Sequence, residues 1–336
     1  MQKSRIAIVG AGLAAAPHAL ALKELTDEVE VACVVGRSRE RLEAFAQTHG
    51  FPSGPSLDDA LSDTSIDAVL ILTPPNTHLD LVEKAAAAHK HVLLEKPLEI
   101  STDRAEDLVA MCADAGVQLG IVFQNRFRPA VQQLAALVKA GELGKLAYAG
   151  IDMRWWRPQT YYDEPGRGTY ARDGGGVLMT QAIHTLDILM WLAGGVTSVI
   201  AMPATTRMHA MEAEDFVAAG LTFESGATGH VLATTAAFPG FPERIEFVGS
   251  KASAILNGGH LQVFYQDGRT DEFHDPASTG FGARPMDFSH AAHRELLHDF
   301  VKAIRENRRP SVTGADALRV QKLIEQMSPR TMKTTS

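Results

Sequence analysis

Residues 4–16 read SRIAIVGAGLAAA. Ile6 to Val9 is a short apolar run that meets Gly10-Ala11-Gly12 and then small residues suited to a helix start. The stretch predicts a strand, a glycine turn and a helix N-terminus, with G-x-G-x-x-A spacing at Gly10, Gly12 and Ala15. The first glycine lets the backbone turn, and the second lets a pyrophosphate approach the main chain. The small third residue lets the helix pack close to the sheet. Backbone N–H groups and the positive end of the helix dipole then face the phosphates. A second apolar strand, VEVACVV at 29–35, follows at the distance a βαβ unit needs. The stretch therefore reads as a dinucleotide site and not as a plain βα turn.

Outward from this turn, strands and helices alternate. Strands read at 5–9, 29–35, 67–72, 91–95 and 118–123, and helices near 12–24, 38–49, 77–88 and 102–115. Continuous apolar strands between amphipathic helices predict a parallel sheet covered on both faces. Right-handed crossovers make it a doubly wound α/β Rossmann domain over residues 1–124. Beyond it come a helix at 129–139 and a strand beginning LAYAGIDMRWW. Short alternating strands follow at 196–203, 214–223, 227–236, 243–249, 252–257, 261–265 and 270–274, separated by turns such as Asp267-Gly268. They predict an antiparallel meander within a second domain, 125–336. Phe288 to Asn307 reads as an amphipathic helix capped by Asp287 or Ser289, 315–327 as another, and 328–336 as a frayed tail.

Composition narrows the class. The chain has 336 residues, 45% hydrophobic and 21% charged, with a net charge of -8. The absence of a basic-aromatic stripe argues against a nucleic-acid partner. Cys33 and Cys112 lack C-x-x-C spacing and read as reduced core thiols. No apolar run reaches about 18 residues, and the first strand begins too early for a signal peptide, so a cytoplasmic protein without a membrane span is expected.

In a doubly wound sheet the ligand lies beyond the carboxyl ends of the strands, so the strand tips carry the information. An NAD site usually places a carboxylate after the second strand. Here the tip reads Gly36-Arg37-Ser38-Arg39-Glu40-Arg41. Arg37, with Ser38 and Arg41, could hold a 2′-phosphate by charge-assisted hydrogen bonds, which favours NADP and leaves NAD possible. After the third strand comes Thr73-Pro74-Pro75-Asn76-Thr77-His78, an extended turn in which Asn76 can cap the next helix. After the fourth comes Glu95-Lys96-Pro97, a charged pair at an apolar strand end, followed by a proline that fixes the backbone through a trans or a cis bond.

These motifs, with G-G-G-x-L-x-x-x-x-x-H-x-x-D at 174–187, resemble the glucose–fructose oxidoreductase, inositol dehydrogenase and MocA (Gfo/Idh/MocA) family. The resemblance implies an NAD(P)-dependent dehydrogenase or reductase of sugars, polyols or related alcohols. It also implies an α+β second domain with an open, mostly antiparallel sheet, assembled into homodimers or homotetramers through that sheet. It makes Lys96 catalytic, with His184 as its partner. The candidate cofactor contacts are Gly10, Gly12, Leu13, Ala14, Arg37, Ser38, Arg41, Thr73, Pro74, Asn76, His78, Glu95, Lys96, Pro97 and Asn125. The candidate substrate contacts are Lys96, Arg126, Trp156, Arg157, Tyr162, Thr180 and His184.

The second half of the chain adds two readings and one departure. The loop 157–175 and the strand before it concentrate Trp155, Trp156, Tyr161, Tyr162 and Tyr170 with Arg154, Arg157, Arg167 and Arg172. That set suits either a hydroxylated or carboxylated ring substrate or an aromatic satellite core. Residues 177–193 form an apolar helix carrying Thr180, His184 and Asp187 at i, i+4, i+7, a polar stripe that needs partners or a cleft. The departure is Thr180, where the family often has Asp; a carboxylate would raise the basicity of the imidazole, and Asp187 is the residue that could compensate. His290, His293 and His298 read as surface or interface histidines and no metal is expected. The competing functions are a dehydrogenase of a non-sugar ring, such as a dihydrodiol or a carboxylated aromatic, and a non-catalytic NADP(H) sensor.

Overall fold

The computed structural model describes residues 3–12, 14–54, 56–275 and 289–332. The chain divides into two compact units. Unit 1 is built from the chain up to Gln124 and from His290–Leu318; unit 2 from Asn125–Ser289 and from Arg319 onward.

Unit 1 alternates as its apolar periods require: β1 (Ser4–Val9), α1 (Ala15–Glu24), β2 (Val29–Val35), α2 (Arg39–His49), α3 (Leu57–Ser62), β3 (Ala68–Ile71), α4 (His78–Ala87), β4 (His91–Leu94), α5 (Thr102–Asp114) and β5 (Leu119–Ile121). The strands pair in parallel in the order β2-β1-β3-β4-β5. A parallel bridge between Val34 and Ser53 adds a single residue of strand outside β2. The arrangement is a Rossmann sheet in which the strand that leads outward from β2 is reduced to one bridge. Chain order reverses between β1 and β3, so the crevice beyond their carboxyl ends is where a ligand sits in such folds. The strands are buried on both faces, with Ala68, Val69, Leu70 and Ile71 at most 1% exposed. Cys33 and Cys112 are free and buried, and burial pushes the Cys112 thiol up to about 12.

The segment His290–Leu318 belongs to unit 1, not to the second domain as its position in the chain suggested. Its helix α10 (Ala291–Arg305) buries Leu296, Leu297, Phe300 and Val301 and lies against α1. Phe300 reaches the sheet at Gly120, where an added Cβ would stand 2.7 Å from the ring. His293 is buried on this same stripe, so it is not a surface histidine. His290 and His298 pair with Glu24 and Glu28. Asp287 and Phe288 lie outside the described residues.

Unit 2 holds α6 (Pro129–Lys139), β6 (Leu146–Arg154), the short α7 (Gln159–Tyr162) and α8 (Tyr170–Asp173), α9 (Ile183–Ala193) and seven further strands: β7 (Val196–Ala204), β8 (Phe216–Phe223), β9 (Thr228–Thr234), β10 (Arg244–Gly249), β11 (Ala252–Asn257), β12 (His260–Tyr265) and β13 (Thr270–His274). The order β13-β12-β11-β10-β6-β9-β8-β7 is not one meander. Two antiparallel meanders flank β6, which runs parallel to β9. The segment Tyr170–Ala193 is apolar enough by composition to cross a bilayer, yet 78% of its most apolar window is buried inside the protein, so that apolarity is spent on the core. α11 (Gly314–Met327) and α12 (Pro329–Met332) close the described chain, with a helical turn where a frayed tail was expected.

Candidate active site

In unit 1 the glycine turn takes the form its spacing requires. Gly10 has φ 102°, and an added Cβ would lie 2.9 Å from Thr73 Cγ2. Its N–H donates to the Val35 carbonyl at 2.8 Å, which joins the tips of β1 and β2. A Cβ on Gly12 would meet nothing within 4 Å, so the main chain there faces open space. Ala15 is fully buried at the start of α1. No acidic residue stands in the first turn of α1 to occupy its positive end. An open glycine, a buried small residue and an unopposed helix N-terminus fit a pyrophosphate. Ala14 is the α1 N-cap, and Leu13 lies outside the described residues. Arg37, Ser38 and Arg41 are exposed at the tip of β2, and Ser38 caps α2 through Arg41 N–H.

The loops after β3 and β4 are tied to each other. His78 is fully buried, its Nε2 2.9 Å from the Thr73 carbonyl and its Nδ1 3.0–3.1 Å from the Leu98 and Pro97 carbonyls. Burial lowers its pKa. The residue proposed as a cofactor contact thus serves as the clamp between two strand-end loops. Asn76 does not cap α4; Pro75–Thr77 forms a 3₁₀ turn in which the Thr77 hydroxyl bonds the Pro74 carbonyl at 2.8 Å. Pro74 and Asn76 are exposed and Thr73 half-buried.

The Lys96–Pro97 bond is cis. Among the described residues from Val92 to Glu99, Lys96 alone is not buried. Its backbone N–H donates to Glu95 Oε2 at 3.0 Å, while Glu95 Oε1 accepts from His18 Nε2 at 3.0 Å. His18 stands edge-on to His293, with ring centroids 4.9 Å apart. Burial pushes the Glu95 carboxyl up, but the hydrogen bond from His18 and the charges of His18, Lys96 and His293 outweigh it, so the net shift is downward. Glu95 is therefore an ionised carboxylate, clamped at both oxygens, that fixes the peptide bearing Lys96. His18 and His293 could not be linked to it from sequence, because three separate elements supply the cluster.

Unit 2 presents its polar groups differently. Gly176 is held against Glu214: an added Cβ would lie 1.8 Å from the Glu214 carbonyl oxygen. Val177 N–H donates to that carbonyl at 2.8 Å, and Gly176 and Leu178 N–H donate to Glu214 Oε1 at 3.2 and 3.4 Å. The third glycine of G-G-G and a glutamate far along the chain thus anchor the helix entrance. Burial raises the Glu214 pKa to about 7, against the lowering effect of these backbone donors. From Leu178 to Ala182 the chain makes a π-helical turn before α9 begins, a bulge often found at functional positions. Between Gly176 and Met190, Thr180 and His184 alone among the described residues are not buried. The Thr180 hydroxyl donates to the Gly176 carbonyl at 2.7 Å and also bonds Gln181.

Several candidate contacts sit elsewhere. Arg126 and Asp187 form a buried bidentate pair at 2.7 and 2.6 Å, with Arg126 over the Trp191 ring. Arg126 is thereby engaged within unit 2, with Asp187 as its carboxylate partner. Arg157 and Tyr162 are 5% and 7% exposed. Arg157 lies beside the Trp155 and Tyr161 rings, and Tyr162 bonds the Thr235 hydroxyl at 2.6 Å. Burial lowers the Arg157 pKa and raises that of Tyr162. Half of the aromatic loop is accordingly a satellite core. Trp156 stays half-buried near His209 and Phe238, and Asn125 is half-buried in the 3₁₀ turn Gln124–Phe127. Tyr161 and Gln181, which sequence reading had not linked, meet through a hydrogen bond from Gln181 Nε2 to the Tyr161 hydroxyl at 3.2 Å.

A doubly wound sheet with an open glycine turn at its switch point, and a half-buried lysine at a neighbouring strand end, is the arrangement of a dinucleotide-dependent oxidoreductase. Residues 4–123 match the oxidoreductase family NAD-binding Rossmann fold, and residues 131–255 match the GFO/IDH/MocA C-terminal domain. The chain belongs to the Gfo/Idh/MocA family. It is 29% identical over 322 residues to scyllo-inositol 2-dehydrogenase (NAD⁺) of Bacillus subtilis, which spans 93% of this chain and 90% of that protein. It is 28% identical to D-apiose dehydrogenase of Paraburkholderia graminis, over 95% of this chain and 85% of that one. Among solved structures, the WlbA dehydrogenase of Bordetella pertussis in complex with NADH and UDP-GlcNAcA superposes with a TM-score of 0.82 at 28% identity, covering 97% of this chain and 95% of that one.

Proposed function

We propose that this protein transfers hydride between a nicotinamide cofactor, with preference for NADP(H), and a secondary alcohol or ketone of a sugar, polyol or sugar derivative. The observation that carries the reading is the pattern of openings in buried segments. Lys96 in unit 1, and Thr180 with His184 in unit 2, are the polar groups left accessible where everything around them in the chain is buried. Gly10, Gly12, Ala14 and the α1 N-terminus would hold the pyrophosphate, and Arg37, Ser38 and Arg41 a 2′-phosphate. The nicotinamide, when bound, supplies the hydride acceptor or donor. In the oxidative direction His184 takes the hydroxyl proton, and the Lys96 ammonium stabilises the developing negative charge on the same oxygen. Thr180, four residues before His184, supplies no charge, and its hydroxyl donates to the Gly176 carbonyl.

Relatives named as inositol and apiose dehydrogenases support a polyhydroxylated substrate. Burial of Arg157 and the pairing of Arg167 with Glu164 and Tyr161 weaken the case for a carboxylated ring. We also propose a homo-oligomer formed through the outer face of the unit 2 sheet near β7, where Ile200 and Met202 are 81% and 62% exposed. The deciding experiment is a cofactor-coupled absorbance screen over sugars, polyols and dihydrodiols with NADP⁺ and NAD⁺ in parallel. Turnover confined to sugars or polyols and faster with NADP⁺ supports the reading. Turnover confined to dihydrodiols, or none with any alcohol, refutes it.

A further inference from the structure

We propose that His18 is a positioning residue for Lys96: by occupying the Glu95 carboxylate from α1, it keeps that carboxylate from capturing the neighbouring lysine ammonium. The inference rests on Lys96 as the cation that acts in the proposed transfer. Glu95 and Lys96 follow one another at the carboxyl end of β4, and a buried carboxylate beside an ammonium ordinarily closes on it. Here both carboxylate oxygens have other donors. Oε2 accepts from the Lys96 backbone N–H and Oε1 from His18 Nε2, each at 3.0 Å. An ionised carboxylate only accepts, so His18 Nε2 carries the proton of that bond. His18 is 0% exposed and Glu95 8%, so water is kept from competing for Oε1.

The ring that makes this bond is held from behind. His293 on α10 stands edge-on to it, with planes 86° apart, and is itself buried. The helix that returns to unit 1 from far along the sequence so supports a strand-end loop. Among the described residues, the charged and titratable groups around Glu95 are His18 on α1, His293 on α10, Lys96 beside it in the chain and His78 at the start of α4. His78 is committed to the Thr73, Pro97 and Leu98 carbonyls. Without the His18 donor, Oε1 would be a buried acceptor left unsatisfied, a costly state. The Lys96 ammonium, on a flexible four-carbon stem, is the cation able to answer it. An opposite charge at contact favours the charged lysine, so capture would hold Nζ at Glu95 and make its proton harder to remove. His18 thus governs both where the ammonium rests and how firmly it keeps its proton.

The test is competitive acetylation of the full chain with acetic anhydride across the lysine titration range, with modification of Lys96 read by peptide mass spectrometry; it needs neither cofactor nor substrate. His18→Leu and His18→Met each remove the donor while filling the space, and each should raise the Lys96 titration midpoint by about one pH unit. His18→Gln, whose amide N–H can stand where Nε2 does, should stay near the parent. Adding Glu95→Gln to His18→Leu removes the capturing charge and should return the midpoint to the parent value or below it. Turnover at saturating substrate should fall roughly tenfold or more in His18→Leu and recover in His18→Gln. A midpoint or a turnover that stays at the parent value in both donor-less variants, or a midpoint that rises equally in His18→Gln, overturns the inference. A parent chain without turnover on any alcohol sinks the hydride-transfer reading, whereas the acetylation titration decides the role of His18 by itself.

Discussion

Alanine at Gly176 perturbs the helix entrance of unit 2 and no residue of unit 1. Its Cβ would stand 1.8 Å from the Glu214 carbonyl oxygen, a backbone atom that cannot swing aside. The segment must move, and three hydrogen bonds that hold the helix entrance to Glu214 are strained together. At roughly 0.5–1.5 kcal/mol for each bond, the loss is about 2–4 kcal/mol. A domain of ~150–250 residues loses roughly 2–4 °C per kcal/mol, so a fall of about 5–15 °C in Tm is expected. The same shift displaces Thr180 and His184, and an ångström of misplacement at a reacting group costs on the order of 10²-fold in kcat. Unit 1 is untouched, so NADPH affinity, read by cofactor fluorescence, should hold. Gly175→Ala is the control: its Cβ would lie 3.2 Å from Met179 Cβ, a contact that small adjustments relieve. Wild-type turnover and melting in Gly176→Ala, or equal losses in both variants, would refute the reasoning.

Four further outcomes follow from the same geometry. Lys96→Met should retain NADPH binding and lose turnover by about 10²-fold or more, measured in the steady state with saturating substrate. Arg37→Ala should weaken NADP⁺ at least roughly tenfold and leave NAD⁺ nearly unchanged, because a charge-assisted phosphate contact contributes about 1.5–3 kcal/mol; parallel losses for both cofactors would exclude the 2′-phosphate role. His18→Ala strips Glu95 Oε1 of its donor and should cost about 1–3 kcal/mol, the usual consequence of leaving a buried acceptor unsatisfied, as read by denaturant unfolding. Glu214 keeps its proton to about pH 7 when folded and to about 4.5 when unfolded, so its contribution is full below 4.5 and is lost as pH rises through 7. Glu214→Gln should therefore flatten stability against pH across that window, gaining up to about 3 kcal/mol on the parent at high pH; unchanged slopes would show that the carboxyl titrates normally.

Local chemistry made the strand-end motifs legible. G-x-G-x-x-A, E-K-P and the period of apolar residues each lie within a few positions, and the glycine turn takes its expected backbone form, down to the positive φ at Gly10. What sequence could not supply were partners distant in the chain. Glu95 is held by His18 on α1 beside His293 on α10, residues 77 and 198 positions away, and no spacing rule reaches that far. Asp187 looked like part of a polar stripe because Thr180, His184 and Asp187 share a helical period. Its buried pairing with Arg126, 61 positions away, is what the helical period could not show. His78 read as a site residue because it follows a cofactor loop, whereas burial of its ring makes it a clamp. The return of His290–Leu318 to unit 1 is likewise set by an apolar stripe whose destination the periodicity does not name.

The central proposal is that Lys96 and His184, one from each unit, act on a single substrate oxygen. A double-mutant cycle on kcat with Lys96→Met and His184→Ala, run on the best substrate from the screen, tests it most directly. If both groups act on one oxygen, the double variant should be scarcely slower than the slower single one, because residues that act as a unit are strongly non-additive. Losses that sum to within about 0.5 kcal/mol would mean independent roles and contradict the account.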